Sequence, residues 1–256
     1  MKAIILSAGQ GKRLLPLTEK LPKCLLPAND GQSLLGWQLT QLAKAGFEEA
    51  VIVSGFQAEK IRADIRQYQH LIKISELYNP FYKLADNLGS VWVARHKMMH
   101  DFVLLNGDTM FTYEVAQRLR HAAGNDVTLM VSRKESYDND DMKVSVENGM
   151  LKAVGKKLPP EIVNGESIGM MKFSGNGISR FRNAVNAAME TEEGLKTWYL
   201  AVLDQMARAG GVGTVMAGAD EWCEVDFPVD YKKACANIER WNAAQISQGT
   251  DKAAVS

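Results

Sequence analysis

The sequence predicts a three-layer α/β fold, in which helices cover both faces of a mostly parallel sheet. Two observations indicate it. Apolar runs alternate with segments of helical periodicity along almost the whole chain, an order typical of parallel sheets. The first run, Met1 to Leu6, is apolar apart from Lys2, as expected for a strand buried on both faces. We predict a single domain over residues 1–242 of the 256.

Each element follows from its local pattern. Apolar runs predict strands at Lys2–Ser7, Ala50–Gly55, Ile72–Tyr78, Phe102–Asn106, Asp126–Ser132, Lys143–Glu147, Leu151–Val154, Ser167–Phe173 and Gly213–Met216. Helical patterns fill the gaps at Leu34–Ala45, Ala58–Gln69, Leu88–Met99, Tyr113–Ala122, Ile178–Met189, Thr197–Ala209 and Val229–Trp241. The middle region, about 126–173, is richer in short strands and has a hairpin signal at Glu147-Asn148-Gly149. After Trp241 few residues can be buried, so residues 243–256 are predicted to form a flexible tail.

Composition excludes several classes of protein. The chain has 30 basic and 30 acidic residues, and this balance does not suggest a nucleic-acid or anionic-membrane partner. Its three cysteines are far apart, which argues against a zinc site or a disulfide scaffold and favours a reducing compartment. There is no signal-peptide pattern, and no apolar run approaches the length of a membrane span. We therefore expect a soluble cytoplasmic protein.

The segment after the first predicted strand has the composition of a polyphosphate cradle. Gly9 and Gly11 let the backbone approach a ligand, and the cations Lys12, Arg13 and Lys23 follow. A dinucleotide fingerprint would need a third glycine where Leu14 stands. A Walker loop would need a wider glycine spacing and a hydroxyl residue after its lysine. A glycine kept only for packing is the alternative for the isolated motif.

A longer pattern identifies a family resemblance. It reads Gly9-x-Gly11-x-Arg13-Leu14-x-Pro16-Leu17-Thr18-x-x-x-Pro22-Lys23-x-Leu25-x-Pro27, and it resembles the signature of nucleotidyltransferases that activate sugar phosphates and phospho-alcohols. Segments similar to bacterial phosphocholine and phosphonate cytidylyltransferases follow at Asn87-x-x-Ser90, Leu105-Asn106-Gly107-Asp108, Asp141-Met142-Lys143-Val144, Gly155-Lys156, Gly165-Glu166-Ser167-Ile168-Gly169, Trp198-Tyr199 and Trp222-x-Glu224-Val225-Asp226-Phe227-Pro228. The resemblance covers residues 1 to 240 and implies a Rossmann-like α/β/α fold with a mixed sheet.

The resemblance implies a Mg²⁺-dependent cytidylyltransferase. An oxygen of a small phosphorylated or phosphono alcohol or amino alcohol, phosphocholine first, would attack the α-phosphorus of CTP and expel pyrophosphate. One alternative is a sugar-1-phosphate nucleotidyltransferase that uses UTP or dTTP. Another is a nucleotide-binding regulatory protein without turnover. The resemblance leaves a homo-oligomer open.

The candidate metal ligands are acids near strand ends. Asp108 follows the apolar run that ends at Leu105, although an aspartate there could also cap the next helix. Glu224 and Asp226 are two residues apart, so on an extended segment both face the same way; two solvated surface acids are the alternative. By resemblance, Asp108 and Asp226 hold Mg²⁺, Arg13 binds the β- and γ-phosphates and Lys23 binds the α-phosphate.

The resemblance also implies two sets of binding residues. The nucleotide would contact Leu6, Ser7, Ala8, Gly9, Gly11, Lys12, Asn87, Ser90 and Gly107, with Asn87 and Ser90 reading the base. Asn87 could instead cap the following helix, and Lys12 could be a solvated surface residue. The acceptor would contact Lys143, Lys156, Glu166, Trp198 and Tyr199 in a lobe formed by residues 126–173 and the later aromatic pair. Trp198 and Tyr199 could also simply pack the start of a helix.

Overall fold

The computed structural model describes residues 1–29 and 31–253. Its strands are β1 (Lys2–Ser7), β2 (Pro27–Asn29), β3 (Gln32–Ser33), β4 (Glu49–Ser54), β5 (Lys73–Tyr78), β6 (Phe102–Asn106), β7 (Thr109–Phe111), β8 (Val127–Ser132), β9 (Lys143–Glu147), β10 (Met150–Gly155), β11 (Gly165–Phe173), β12 (Val212–Met216) and β13 (Trp222–Glu224). Its α-helices are α1 (Leu34–Lys44), α2 (Ala58–Asp64), α3 (Asn87–Ala94), α4 (Tyr113–His121), α5 (Gly175–Met189), α6 (Tyr199–Arg208) and α7 (Pro228–Ala253).

Nine of these strands form one sheet, in the order β5-β4-β1-β6-β11-β8-β12-β10-β9. Strand β1 lies parallel to β4 and β6, and β12 lies parallel to β8. Strand β11 runs antiparallel between β6 and β8, and β10 runs antiparallel to both of its neighbours. All the other strands of this sheet point the same way, so the predicted mostly parallel, mixed sheet is confirmed.

Helices cover both faces of the sheet, which makes three layers. The side chain of Ile4 packs in a cluster with residues of α3, α5 and α6. Its neighbours Ala3 and Ile5 pack on the opposite face with residues of α1, α2 and α4. This alternation is the period of a strand, and it explains why the first run is apolar on both sides. Among the helices of the described residues, none is both long and apolar enough to cross a membrane.

The element prediction is wrong in four places. The helix predicted over Ala58–Gln69 ends at Asp64 and continues as a 3₁₀ helix, Ile65–Tyr68. Two short ribbons, β2–β3 and β7–β13, are absent from it. The helix predicted over Leu88–Met99 ends at Ala94 and continues as a 3₁₀ turn, Arg95–Lys97. The last helix does not end at Trp241: it runs on to Ala253, and Gln245 hydrogen-bonds Gln41 and Lys44 of α1. The predicted tail therefore continues the helix as far as residue 253, and 254–256 lie outside the described residues.

Candidate active site

The glycine loop after β1 leaves room for the side chain of a lysine to pass over it. Gly11 has a φ of 77°, in the left-handed region, and a Cβ on it would lie 2.8 Å from the Cβ of Lys23. Thr18 Oγ1 donates to the carbonyl oxygen of Gly11 at 2.7 Å and holds the loop closed. The side chain of Lys23 therefore runs directly over a residue that has to be glycine. Gly9, by contrast, has open space around it.

The carboxyl end of β6 touches that of β1. Gly107 N donates to the carbonyl oxygen of Leu6 at 3.0 Å, and a Cβ on Gly107 would lie 2.5 Å from Ser7 Oγ. A cavity of about 210 Å³ opens at this junction, lined by Leu6, Ser7, Gly9, Gly11, Lys23, Cys24, Asn87, Asn106, Gly107 and Asp108. Ser7 and Asp108 thus share one crevice. We refer to it as the nucleotide cavity.

The β7–β13 ribbon brings together acids that are distant in the sequence. Its strands are antiparallel and pair Thr109 with Glu224. Directly beyond this pair, Val225 N donates to the carbonyl oxygen of Asp108 at 3.0 Å. Carboxylate oxygens of Asp108, Glu224 and Asp226 consequently lie within 4.8 Å of one another. Strands of three residues have too little periodicity to be recognised from sequence.

Two cations bind this acidic cluster. Lys23 Nζ lies 2.7 Å from Asp108 Oδ2 and 3.1 Å from Asp226 Oδ1, and Arg13 Nη2 lies 2.7 Å from Asp226 Oδ2. Burial works against the charge of Lys23, but the carboxylates of Asp108 and Asp226 outweigh it and raise the pKa of the ammonium. The Arg13 guanidinium also stands 5.0 Å from the ring centre of Phe227. The site therefore pairs positive and negative groups at the carboxyl edge of the sheet.

The same cluster has the donor set of a magnesium site. It offers only carboxylate oxygens, which are the hard ligands that Mg²⁺ takes. Asp108 Oδ1 is buried and has no hydrogen-bond partner among the described residues, so a bound cation would satisfy it. Glu224 is open to the cleft, yet desolvation by nearby protein atoms and the charges of Asp108 and Asp226 raise its pKa to about 8. A cation here would relieve that repulsion.

A buried glutamine missed by the sequence analysis supports the cluster from below. Gln38 of α1 is fully buried, and its Nε2 donates to the carbonyl oxygens of Asn106 and Thr109 at 2.9 and 2.8 Å. These two bonds bracket the Gly107-Asp108 turn. The available signal was a glutamine inside the apolar run of α1, Leu34 to Leu39.

The residues predicted to read the base have other partners. Asn87 Oδ1 accepts from Tyr199 N at 3.0 Å, so Asn87 caps α6 rather than its own helix, while still lining the nucleotide cavity. Ser90 is only 6% exposed, and its Oγ accepts from Asn79 Nδ2 at 3.0 Å. Ser90 is not among the residues lining that cavity. Ala8 is buried behind the loop, and Lys12 is exposed on a 3₁₀ turn.

A second cavity of about 430 Å³ adjoins the acidic cluster, and we call it the acceptor cleft. Lys156 Nζ lies in it, 4.6 Å from the ring centre of Trp198 and 3.3 Å from Asp140 Oδ1. Asp86 lines the same cleft. Trp198 is 39% exposed, so part of its ring is open to a ligand.

Three residues predicted to contact an acceptor are already engaged within the protein. The ammonium of Lys143 donates to the carbonyl oxygens of Asp138 and Lys156. Glu166 is 6% exposed and pairs with Lys134 at 2.9 Å, in a neighbouring cavity. Tyr199 is fully buried, because the first turn of α6 directs its side chain into the core. These corrections leave Lys156 and Trp198 as the predicted residues that face the cleft.

Comparison with known proteins assigns the family. Residues 2–141 match the family described as nucleotidyl transferase. The chain belongs to this family. It is similar to the bifunctional IPC transferase and DIPP synthase of Aquifex aeolicus, at 26% identity over 91% of this chain and 50% of the relative. It is also similar to the CTP:phosphoglutamine cytidylyltransferase of Campylobacter jejuni, at 23% identity over 90% of this chain and 97% of the relative.

The fold is shared with solved structures. The CTP:phosphocholine cytidylyltransferase of Streptococcus pneumoniae superposes with a TM-score of 0.74 at 19% identity, covering 91% of this chain and 96% of that chain. This likeness confirms the Rossmann-like α/β fold. The chain spans about half the length of the Aquifex relative. The match of residues 2–141 to the family confirms the resemblance drawn from the glycine loop.

Proposed function

We propose that this protein is a Mg²⁺-dependent cytidylyltransferase that joins CTP to a small phosphorylated or phosphono amino alcohol, with phosphocholine first. The observation that carries the proposal is Lys23 Nζ, held between Asp108 and Asp226 over the glycine loop. This arrangement brings a cation, two carboxylates and the glycine loop together at one edge of the sheet, which suits transfer at a triphosphate. Two similar proteins, the CTP:phosphoglutamine cytidylyltransferase of Campylobacter jejuni and the CTP:phosphocholine cytidylyltransferase of Streptococcus pneumoniae, support CTP as the nucleotide.

The reaction joins two anions, so the protein has to neutralise charge and align the partners. Asp108 and Asp226, with Glu224 beside them, would hold Mg²⁺, which when bound neutralises phosphate charge. In that state Lys23 exchanges its carboxylate partners for the α-phosphate, and Arg13 binds the leaving pyrophosphate through its planar fork. The nucleotide lies along Leu6–Gly11 and against Gly107, within reach of Lys12. No covalent intermediate with the protein is needed.

The acceptor cleft suits a substrate that is anionic at one end and cationic at the other. Lys156 would take the phosphate or phosphonate. The carboxylates of Asp86 and Asp140 and the exposed part of Trp198 would attract an ammonium head group, by charge and by cation–π contact. Lys143 and Glu166 then support the wall of the lobe over residues 126–173 rather than the substrate itself.

The test is pyrophosphate release with Mg²⁺. CTP, UTP and dTTP are each paired with phosphocholine, phosphoethanolamine, 2-aminoethylphosphonate and glucose-1-phosphate. We expect release with CTP and an amino-alcohol phosphate or phosphonate. Asp108→Ala should abolish it, whereas Asp101→Ala, an exposed aspartate before β6, should not. Release only with UTP or dTTP and the sugar phosphate, or full activity of Asp108→Ala, would overturn the proposal.

A further inference from the structure

The nucleotide cavity and the acceptor cleft meet at three residues. Asn87, Asn106 and Asp108 line both, whereas the other residues that line each cavity differ. In the proposed reaction, the new bond forms between an acceptor oxygen and the α-phosphorus, so the reacting atoms have to lie where the two cavities join. Asp108 belongs to the acidic cluster already described. Of the two asparagines at this boundary, Asn87 was predicted to read the base and Asn106 has no role so far.

The hydrogen bonds of these asparagines orient their side-chain amides. Tyr199 N can only donate, so the atom of Asn87 that lies 3.0 Å from it has to be the amide oxygen. The Tyr199 hydroxyl donates to Asn106 Oδ1 at 2.8 Å. Both amide oxygens are therefore taken by one residue, and both amide nitrogens are directed elsewhere. An amide whose oxygen is bonded to Tyr199 presents its nitrogen, a donor, on the other side, which suits anionic phosphate oxygens.

The room around Asn106 leaves this end of its amide accessible. Gly169 lies in the acceptor cleft with a φ of 72°, and a Cβ on it would lie 2.5 Å from Asn106 Nδ2. A glycine at this point of β11 thus leaves the amide nitrogen of Asn106 uncovered on the cleft side. Tyr199 itself is fully buried, and burial together with the charges of Asp108 and Glu224 raises its pKa. Its hydroxyl stays protonated and remains a donor.

We propose that the side-chain amides of Asn87 and Asn106 donate hydrogen bonds to the phosphoryl group in transfer, and that Tyr199 is the residue that positions both. This inference rests on the proposed function and deepens it. It moves Asn87 from base reading to the reacting centre and adds Asn106, for which the sequence suggested no role. Donors already oriented before substrate binds stabilise developing charge without any cost of reorganisation at the moment of reaction.

The test compares Asn106→Ala, Asn106→Asp, Tyr199→Phe and the double variant Asn106→Ala/Tyr199→Phe. We expect Asn106→Ala to lower kcat about 100-fold with little change in the KM for CTP, because the lost bonds are strongest in the transition state. Asn106→Asp keeps the oxygen that accepts from Tyr199, so it should fold, but it replaces the donor by a negative charge and should lose at least as much. We expect Tyr199→Phe to lower kcat about tenfold in the otherwise unchanged protein, and to have no further effect when Asn106 is already alanine.

Tyr68→Phe is the matched control, since Tyr68 is a buried tyrosine in the other helical layer whose hydroxyl has no hydrogen-bond partner among the described residues. We expect it to leave kcat unchanged. An Asn106→Asp variant that folds and keeps its kcat would overturn the inference, as would equal losses from Tyr199→Phe with and without Asn106. A higher KM for CTP at unchanged kcat would place Asn106 on the base or ribose instead. An unsubstituted protein that releases no pyrophosphate with any substrate pair would defeat the proposed function, and with it this inference.

Discussion

Replacing Gly11 with alanine tests whether the glycine loop places the ammonium of Lys23. An alanine would have to adopt a φ of 77°, which costs about 1–2 kcal/mol. Its Cβ would also stand 2.8 Å from the Cβ of Lys23 and 3.2 Å from its Cδ. Relieving that overlap adds about 1 kcal/mol and pushes the lysine away from Asp108 and Asp226. A shift of about 1 Å in a reacting group costs on the order of 100-fold in rate.

Gly149→Ala is the matched control. Gly149 has a φ of 76° in the β9–β10 turn, and no described atom lies within 4 Å of where its Cβ would stand. Both variants should therefore lower the melting temperature, by about 2–4 °C for each kcal/mol lost. Only Gly11→Ala should also lower kcat/KM about 100-fold in the pyrophosphate-release assay. Equal activity of the two variants would refute the reasoning, because the course of Lys23 over Gly11 would then have no effect on the reaction.

The remaining predictions concern the metal, the support of the turn and acid stability. EDTA should abolish pyrophosphate release, and Asp108→Asn should raise the Mg²⁺ concentration for half-maximal rate at least about tenfold. Gln38→Ala should lower the free energy of unfolding by about 2–4 kcal/mol, since two buried carbonyl oxygens lose their donor. Hydrogen bonds from Arg118 lower the pKa of Glu221 below its ordinary 4.5, so Glu221→Gln should cost about 0.5–1 kcal/mol at pH 7. That cost should vanish as the pH falls through the lowered pKa of Glu221, because the stabilising charge is then lost in the unsubstituted protein too.

Each of these predictions has a control or a contrary result. An Asp108→Asn enzyme with an unchanged Mg²⁺ requirement would remove that carboxylate from the metal site. Gln67→Ala, an exposed glutamine bonded to Asp64, should change the free energy of unfolding by no more than about 0.5 kcal/mol in urea denaturation. If Gln38→Ala behaves like it, the two bonds to the turn contribute nothing. For Glu221→Gln, a stability difference that persists once Glu221 is protonated in the folded protein would show that the ion pair is not its cause.

Much of the fold could be predicted because its signals are local. The apolar run of β1 and the periodic patterns of α1 and α5 lie within single elements, and the structure has them within a residue or a few of the expected bounds. The ribbons β2–β3 and β7–β13 could not be predicted, since strands of two or three residues carry almost no periodicity. The extension of α7 was missed because residues beyond Trp241 are mostly polar and are held by contacts with α1.

The sequence alone was enough to predict the glycine loop and its cations. The left-handed glycine and the charged residues all lie within the first 23 residues, so their pattern is visible in one short stretch of the chain. It also singled out Asp108, Glu224 and Asp226, the acids that the structure brings together. Only the tertiary structure decided how the site is oriented. Asn87 accepts a hydrogen bond from Tyr199, 112 residues away. The ammonium of Lys143 donates hydrogen bonds to backbone oxygens. Such partners depend on packing between elements that are distant in the sequence. The chemistry of a side chain shows what it can bond to, but not which group the fold will place beside it.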